Sequence, residues 1–286
     1  MTVRVLSWNV LAAPWASAEW YPDGMDAEVL DRATRIERIA DQIVAAAADV
    51  VCLQEATEVE LAHLVESSNF ACHFASMDEH FWLNWLGADS TWEPNGTAVL
   101  WDHRRFDAAA RGTESLGEHG NVATWVDLRD RASNVQVRIV SLHLDSDDPD
   151  RRRAEIPALL AACFGVPIVV IAGDYNEDTV TSGSDRPRIG DAFFDEGFVD
   201  VFEQLDRRAP THPYARPGDS WEMLATIDHV LVRGLTAIDA RVIDAGVWSI
   251  DGPHARMEEC LRSTGSDHLA LVVELDLERE VALDAN

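Results

Sequence analysis

Side chains able to bind a metal ion or to transfer a proton stand at the ends of apolar, strand-like runs along the sequence. Asn9 follows the first run, Glu55 follows the second, and His143 lies near the end of a later one. Strand ends that face one edge of a β-structure can gather distant residues into one pocket, so we expect these side chains to meet. The complete set, in chain order, is Asn9, Glu55, His143, Asp174, Asn176, Asp228, Asp267 and His268.

The types of these side chains suit the transfer of a phosphoryl group. Carboxylate and amide oxygens are hard ligands of the kind that Mg²⁺ prefers, and Mn²⁺ can take its place. A histidine can stabilise charge on a phosphoryl oxygen or protonate a leaving group. The sequence contains no lysine, which excludes Schiff-base chemistry, a lysine nucleophile and a Walker-type phosphate loop.

The composition predicts one acidic domain. The 286 residues are 47% apolar, enough for a sizeable core, and no linker, repeat or low-complexity segment divides them. We expect one domain over residues 1–277 and an acidic tail over residues 278–286. The formal net charge of −28 disfavours tight binding to duplex DNA, whereas a small phosphate ester or a single-stranded end is easier to accept.

The cysteine spacing and the N-terminal residues indicate the cellular compartment in which we expect the protein. The four cysteines are scattered without a CxxC pair, which is not typical of a zinc knuckle or of a disulfide framework. The chain does not begin with a basic region followed by an apolar one, and no apolar run reaches membrane-spanning length. We therefore expect a cytoplasmic monomer without a membrane partner.

The hydrophobic pattern predicts many strands and few helices. The predicted strands are Val3–Val10, Asp49–Leu53, Thr97–Trp101, Thr124–Leu128, Val135–Leu144, Pro167–Ala172, Thr226–Val232, Ala237–Ile243 and His268–Leu275. The predicted helices are residues 32–48, Glu58–Glu66 and Pro149–Phe164, with an irregular, Trp-rich segment over residues 76–94 and a loop over residues 179–188. This content predicts an α/β sandwich, in which two packed mixed β-sheets are flanked by helices.

Six segments together resemble the successive motifs of the endonuclease/exonuclease/phosphatase superfamily. Their order and spacing, from residue 7 to residue 269, span nearly the whole chain. They are Ser7-Trp8-Asn9-Val10, Leu53-Gln54-Glu55, Ser141-Leu142-His143-Leu144, Gly173-Asp174-Tyr175-Asn176, Ile227-Asp228-His229 and Ser266-Asp267-His268-Leu269. The N-terminal third, with WNVLAAPWASAEWYP and ADVVCLQE, is most similar to the deadenylase and nocturnin-like group. Ser-Leu-His-Leu argues against the abasic-site endonuclease branch.

The resemblance implies a metal site and a nucleophile site. Glu55 would bind the catalytic Mg²⁺, with Asn9 beside it and Asp267 assisting directly or through water. Asp174 would orient and deprotonate the attacking water, and Asn176 would hold the phosphate or the nucleophile. The family resemblance thus predicts hydrolysis by a metal-activated water.

The same resemblance assigns the histidines and two substrate-binding residues. His268 would stabilise the transition state, paired with Asp228, which sets its tautomer and keeps it cationic. His143 would contact a non-bridging phosphoryl oxygen. Asn95 and Arg35 are predicted to bind the substrate, and the resemblance also implies that Arg35 packs near the metal site.

Each of these residues has a structural explanation when it is taken alone. Asn9 could be a turn residue, Glu55 could cap the next helix, and Asp174 could form an ordinary Asx turn. His229 should point away from Asp228 and is expected to be structural. No motif supports the remaining histidines, which we expect in the core or on the surface: His63, His73, His80, His103, His119, His212 and His254.

The aromatic residues near the N-terminus and in the Trp-rich segment allow two interpretations. They could stack on a base, or they could pack loops onto the sandwich, and we expect packing for most and pocket lining for one or two. The residues concerned are Trp15, Trp20, Tyr21, Trp82, Trp85 and Trp92.

The leading hypothesis is a Mg²⁺-dependent phosphodiesterase that acts on nucleotides or on the ends of RNA or single-stranded DNA. The alternative is a phosphomonoesterase, or a small-molecule or lipid-headgroup phosphodiesterase, with the same fold. A binding protein without activity is a third class, which the complete set of polar residues disfavours.

Overall fold

The computed structural model describes residues 1–21, 24–77, 93–117, 120–180, 187–213 and 225–278. Most of the Trp-rich segment predicted over residues 76–94 lies outside the described residues, as does most of the loop predicted over residues 179–188. The tail predicted over residues 278–286 lies outside them as well, apart from Glu278. Among the described residues, no helix is long and apolar enough to cross a membrane.

Strands predominate in the described chain, and six helices interrupt them. The strands are β1 (Thr2–Asn9), β2 (Val50–Thr57), β3 (Phe70–Ser76), β4 (Asn95–Asp102), β5 (Phe106–Ser115), β6 (Val122–Asp130), β7 (Gln136–His143), β8 (Val169–Asp174), β9 (Val199–Asp200), β10 (Asp228–Arg233), β11 (Thr236–Ile243) and β12 (Ala270–Asp276). The helices are α1 (Arg32–Ala46), α2 (Glu58–Glu66), α3 (Pro149–Ala162), α4 (Asp191–Phe194), α5 (Val201–Gln204) and α6 (Pro253–Thr264). Short 3-10 turns cover Ala18–Trp20, Ala27–Leu30 and Val247–Ser249.

The strands form two mixed sheets of six strands each, which confirms the predicted α/β sandwich. The order in the first sheet is β11-β12-β1-β2-β4-β3, and in the second it is β5-β6-β7-β8-β10-β9. One parallel pair lies at the centre of each sheet, β1 with β2 and β7 with β8, and the other neighbours are antiparallel. Each parallel pair needs a crossover, which α1 and α3 supply.

The main core fills the space between the sheets. Val5 and Val99 of the first sheet share one buried cluster with Ile139, Val170 and Val230 of the second. The inner faces are thus apolar on both sides, as expected for packed sheets. Fully buried central strands appear in sequence as continuous apolar runs, which is why the sequence pattern identified them.

Helix α1 covers the outer face of the first sheet. It begins after Asp31, whose side chain accepts a hydrogen bond from the Thr34 amide at 2.9 Å, and it ends at Ala47, which has a left-handed φ of 49°. Ile39 and Ile43 on its buried face pack in the cluster that covers this sheet. Helix α3 covers the outer face of the second sheet, where its Ile156 and Leu159 pack in one cluster with Val169 and Ile171.

Strand direction brings the polar strand ends to one edge of the sandwich. β1 and β2 are parallel, so Asn9 and Gln54 are neighbours at their carboxyl ends. In the second sheet, His143 of β7 pairs with Asp174 of β8, and Asp174 pairs in turn with Asp228 at the start of the antiparallel β10. The register therefore places three of the predicted site residues side by side.

His229 faces away from this row, as the alternation of a strand predicts. It is 1% exposed, and its Nδ1 lies 2.8 Å from an Asp200 carboxylate oxygen. Burial disfavours both charges, but the hydrogen bond and the opposite charge outweigh it, so the pKa of His229 is raised and that of Asp200 is lowered. Thr179 completes the network by donating its hydroxyl to the same carboxylate at 2.8 Å.

We expect Asp200→Asn to lower the free energy of unfolding by about 2–3 kcal/mol, since a buried charge-assisted hydrogen bond is lost. The pKa of His229 is raised in the folded state, so its stabilisation of the fold is fully present below its unfolded pKa of about 6.5. This stabilisation is lost as pH rises through the folded pKa. The stabilisation of the fold by Asp200 is fully present above its unfolded pKa of about 3.9. It is lost as pH falls through the lowered pKa of the folded state. The effect should therefore be largest between about pH 4 and pH 6.5.

Urea unfolding of the wild type and of Asp200→Asn at about pH 5.5 and about pH 9 measures this difference. Asp195→Asn, a change at an exposed position nearby, is the control and should have little effect at either pH. A destabilisation that grows on going to the alkaline pH would contradict the prediction.

Candidate active site

Asn9 and Glu55 form one corner of the site. The Asn9 Nδ2 donates to Glu55 Oε1 at 2.9 Å and to Asp174 Oδ2 at 3.1 Å, so this amide joins carboxylates from both sheets. The other Glu55 oxygen accepts from the Ala12 amide at 3.0 Å, and Asn9 Oδ1 accepts from the Leu11 amide at 3.0 Å. Asn9 and Glu55, two of the three residues predicted at the metal site, are thus oriented by hydrogen bonds.

Glu55 lies in an irregular part of β2. Its φ is 55°, in the left-handed region, and the pairing of β2 with β4 shifts register between Leu53 and Ala56. A residue other than glycine is strained in this conformation, and such strain is concentrated at functional sites. The bulge turns the Glu55 side chain to the pocket edge, where Asn9 meets it.

His268 occupies the centre of the site between two carboxylates. Its Nδ1 lies 2.9 Å from Asp228 Oδ2, and its Nε2 lies 3.7 Å from Asp174 Oδ2. His143 approaches the same Asp174 oxygen from its own Nε2 at 3.5 Å. His143 and His268 therefore both approach Asp174, and Asp228 is joined to it through His268.

The charges of this group are strongly coupled. Burial disfavours the imidazolium, but the carboxylates of Asp228 and Asp174 outweigh it and raise the pKa of His268 to about 10. Burial likewise opposes ionisation of Asp174, yet His268 and His143 lower its pKa below the ordinary value. At neutral pH the group therefore presents a cationic His268 beside an ionised Asp174.

Asn176 supports Asp174 from the following turn. Its backbone amide donates to Asp174 Oδ1 at 2.8 Å, and its Nδ2 donates to the Leu144 carbonyl at 2.9 Å. Its φ of 51° is again left-handed. In this structure Asn176 thus holds the Asp174 carboxylate and the chain that follows His143.

Hydrogen bonds connect the segments that carry the site, both between the two sheets and within the first sheet. Gln54 Nε2 donates to the Ser141 hydroxyl at 3.0 Å, and that hydroxyl donates to the Leu53 carbonyl at 2.9 Å. Trp8 Nε1 donates to the His268 carbonyl at 2.9 Å, and the Ser266 hydroxyl donates to the Asn9 carbonyl at 2.6 Å. These bonds fix the relative positions of the segments that carry the site.

Arg35 lies beneath the site and joins two of these segments. Its Nε donates to the Gly265 carbonyl at 2.7 Å, and its Nη2 donates to the Val10 carbonyl at 2.7 Å and to the Leu11 carbonyl at 2.5 Å. The side chain is 1% exposed, so it is not open to a ligand here. Arg35 was predicted to bind the substrate, but in this structure its guanidinium binds backbone carbonyls instead.

Asn95, the other residue predicted to bind substrate, is also fully buried. It begins β4 opposite Thr57, and its Nδ2 contacts the Glu93 carbonyl at 3.4 Å. It therefore lies in the sheet and presents no exposed surface in the described structure.

Asp267 forms the far side of the site. Its Oδ2 accepts from the Tyr21 hydroxyl at 3.0 Å and lies 3.7 Å from His212 Nε2. Burial opposes its ionisation, but His212 and His268 outweigh burial and hold its pKa well below the usual range. Tyr21 is thus an aromatic residue that lines the pocket, whereas Trp15 and Trp20 pack on each other, with ring centroids 5.7 Å apart.

His212 is a site residue that no sequence motif indicated. Its ring centroid lies 4.4 Å from that of His268, beside Asp267. We expected this histidine in the core or on the surface, because no recognised motif contains it. The local sequence Pro210-Thr211-His212-Pro213 carries no signal for such a position.

The donor set fits a hard divalent cation at the Glu55 and Asp267 carboxylates. Asp267 Oδ1 is buried and has no hydrogen-bond partner within the described chain. A bound cation would supply the partner that this buried oxygen lacks. In the described chain, two groups of three side chains are close enough together to bind a metal, and both include His268. A cationic imidazole is a poor ligand, so we favour the carboxylates.

One family of known proteins matches nearly the whole chain. Residues 6–268 match the Endonuclease/Exonuclease/phosphatase family. No curated protein sequence matches the chain.

Solved structures with the same fold cover nearly all of the chain. The human Nocturnin catalytic domain, solved with a bound sulfate anion, has a TM-score of 0.68 and 20% identity over 96% of this chain and 93% of its own. ANGEL2, a 2′,3′-cyclic phosphatase, has a TM-score of 0.72 and 17% identity over 98% and 96%. D. rerio TDP2 in complex with a single-strand DNA product has a TM-score of 0.67 and 17% identity over 96% and 99%.

We expect Arg35→Met to lower the free energy of unfolding by about 3 kcal/mol and to lower activity, since three buried carbonyls lose a charged donor. Thermal and urea unfolding measure the first effect. Arg38→Met, at a partly exposed position on the same helix, is the matched control and should unfold like the wild type. Equal stability of the two variants would refute the bracing role.

Proposed function

The chain belongs to the endonuclease/exonuclease/phosphatase family, and we propose that within it the chain is a Mg²⁺-dependent phosphodiesterase that acts on nucleotides or on the ends of RNA or single-stranded DNA. As a member of this family, the chain is a phosphoric ester hydrolase. The observation that supports the proposal most directly is the group of His268, Asp228, Asp174 and His143 beside Asn9 and Glu55.

Asp174 and Asn9 would place the attacking water. The Asp174 carboxylate is ionised and oriented by Asn176 and Asn9, so it can accept a hydrogen bond from water and then its proton. Its low pKa makes it a weak base, so orientation of the water is its larger contribution. Bound Mg²⁺, held by Glu55 and Asp267, would supply Lewis-acid stabilisation of charge on the phosphoryl oxygens.

His268 would stabilise the negative charge that develops on the phosphoryl group. Asp228 holds its Nδ1, which leaves the Nε2–H directed to the pocket beside Asp174. Because His268 is buried and already cationic, little reorganisation is needed when charge develops. His143, on the other side of Asp174, would contact a second non-bridging oxygen.

The structural relatives agree in substrate kind with this proposal. ANGEL2 is described as a 2′,3′-cyclic phosphatase, and TDP2 was solved with a single-strand DNA product. The first description names a cyclic phosphate ester, and the second names a nucleic-acid product. These descriptions support the proposed class of substrate.

A second candidate is a phosphatase or phosphodiesterase of small molecules, which the charge distribution favours. The net charge is −28, and arginines that follow the site strands are paired with carboxylates: Arg152 and Arg153 with Glu177, and Arg208 with Asp178. Arginines that are neutralised in this way offer little attraction to a long polyanion. A short substrate is compatible with either candidate.

A substrate panel separates the two candidates. The purified protein with Mg²⁺ or Mn²⁺ is incubated with 3′-labelled RNA, single-stranded DNA, a 2′-5′ linked oligomer, a 2′,3′-cyclic nucleotide, NADP and phosphomonoesters. Metal-dependent shortening of an oligonucleotide supports the leading proposal. Phosphate release from small molecules, without cleavage of any oligonucleotide, favours the second candidate.

We expect Asp174→Ala and His268→Ala each to lower kcat by about a thousandfold or more, because each removes a group that contacts the reacting atoms. Asp41→Ala and His63→Ala, at exposed positions on α1 and α2, are matched controls and should retain full activity. Circular dichroism checks that the fold persists. Comparable turnover in the site variants and the controls would exclude the mechanism.

A further inference from the structure

The Tyr21 ring is fixed by apolar packing beside the site. The side chain is 6% exposed and belongs to one buried cluster with Leu11, Val29, Met257 and Leu261. These partners come from the loop after β1, from a 3-10 turn and from helix α6. Packing against three separate segments therefore sets the position of the ring, whatever its hydroxyl does.

The Tyr21 hydroxyl is a donor to Asp267. It lies 3.0 Å from Asp267 Oδ2, and an ionised carboxylate can only accept. Burial, together with the negative charge of Asp267, holds the pKa of Tyr21 well above its usual value. The phenol thus keeps its proton at neutral pH, and the hydrogen bond to Asp267 is present throughout.

The two carboxylate oxygens of Asp267 have different surroundings. Oδ2 accepts from Tyr21 and lies 3.7 Å from His212 Nε2, which is longer than a normal hydrogen bond. Oδ1 is buried and has no hydrogen-bond partner in the part of the chain that the structure describes. The terminal torsion of an aspartate is soft, so the bond to Tyr21 is what keeps the two oxygens from exchanging places.

A metal ligand needs such support. Hydrogen bonds from surrounding groups orient the carboxylates that bind a cation, and the loss of one typically costs about 10- to 100-fold in metal affinity. Glu55 is oriented in this way by the Asn9 side chain and the Ala12 amide. The Tyr21 hydroxyl has the corresponding position at Asp267.

We propose that Tyr21 is a positioning residue, whose hydroxyl holds Asp267 Oδ2 and so keeps Asp267 Oδ1 in place for the divalent cation. The cation site is that of the proposed function, on which this inference rests. Tyr21 acts through Asp267 alone. Removal of its hydroxyl should therefore weaken cation binding, and should have no further effect where Asp267 is already replaced.

The test measures the binding of Mn²⁺ alone, without substrate, to the full-length protein. Electron paramagnetic resonance reports the free ion, whose sharp signal is lost on binding, and about 0.5 M KCl screens the exposed carboxylates. The proteins compared are the wild type, Tyr21→Phe, Asp267→Asn and the double variant. Tyr175→Phe is the matched control, because the Tyr175 hydroxyl is also buried but has no hydrogen-bond partner within the described chain.

Tyr21→Phe should raise the Kd for Mn²⁺ by about 10-fold or more, whereas Tyr175→Phe should stay within about twofold of the wild type. Asp267→Asn should weaken binding at least as much as Tyr21→Phe does. Adding Tyr21→Phe to Asp267→Asn should change the Kd by less than about twofold, because both changes remove the same contact. Melting curves confirm that each variant is folded, and Tyr21→Leu replaces Tyr21→Phe if the latter is unfolded.

The contrary outcomes are distinct. Equal Kd values for the wild type and Tyr21→Phe would overturn the positioning role and leave the metal site intact. An equal weakening by Tyr21→Phe in the presence and in the absence of the Asp267 carboxylate would overturn it as well. If the wild type binds no Mn²⁺, or binds it no more tightly than Asp267→Asn does, the proposed metal site fails, and the inference fails with it.

Discussion

The site depends on a buried positive charge that neither sheet can stabilise alone. His268 precedes β12 of the first sheet, while its carboxylate partners Asp228 and Asp174 stand at strand ends of the second. An isolated imidazolium is costly where water is excluded, so its charged form persists only when both carboxylates are in place. Docking of the two sheets and assembly of the site are therefore one event.

The backbone around the site is constrained by the same need to satisfy buried polar groups. The carbonyls of Val10, Leu11 and Gly265 are bound by Arg35, and the carbonyl of His268 is bound by Trp8. Buried carbonyls without partners would be costly, so these side chains fix the turns on which the catalytic groups stand. A rigid backbone allows strained conformations such as that of Glu55 to persist, and it presents the carboxylates already oriented for a cation and a phosphate.

The central strands could be predicted from the sequence because both of their faces are buried. Val169–Asp174 begins with a continuous apolar run, and Thr2–Asn9 is apolar at Val3, Val5, Leu6 and Trp8, so the polar residues at the ends of both strands stand out. Phe106–Ser115 was missed, since this edge strand exposes most of its residues and has little apolar alternation. Phe70–Ser76 is partly exposed along its whole length and was missed as well.

The sequence by itself determined the chemistry, since residue type and position at strand ends predicted the carboxylates, the amides and the two central histidines of a phosphoryl-transfer site. Only the tertiary structure decided which further groups reach them. His212 enters the site through the bonds of Thr211 to both sheets, and Tyr21 reaches Asp267 from a loop. Arg35 is turned inward to the backbone instead of outward to a substrate. These contacts join segments far apart in the chain, and their distances depend on how the sheets pack, which no local pattern of residues encodes.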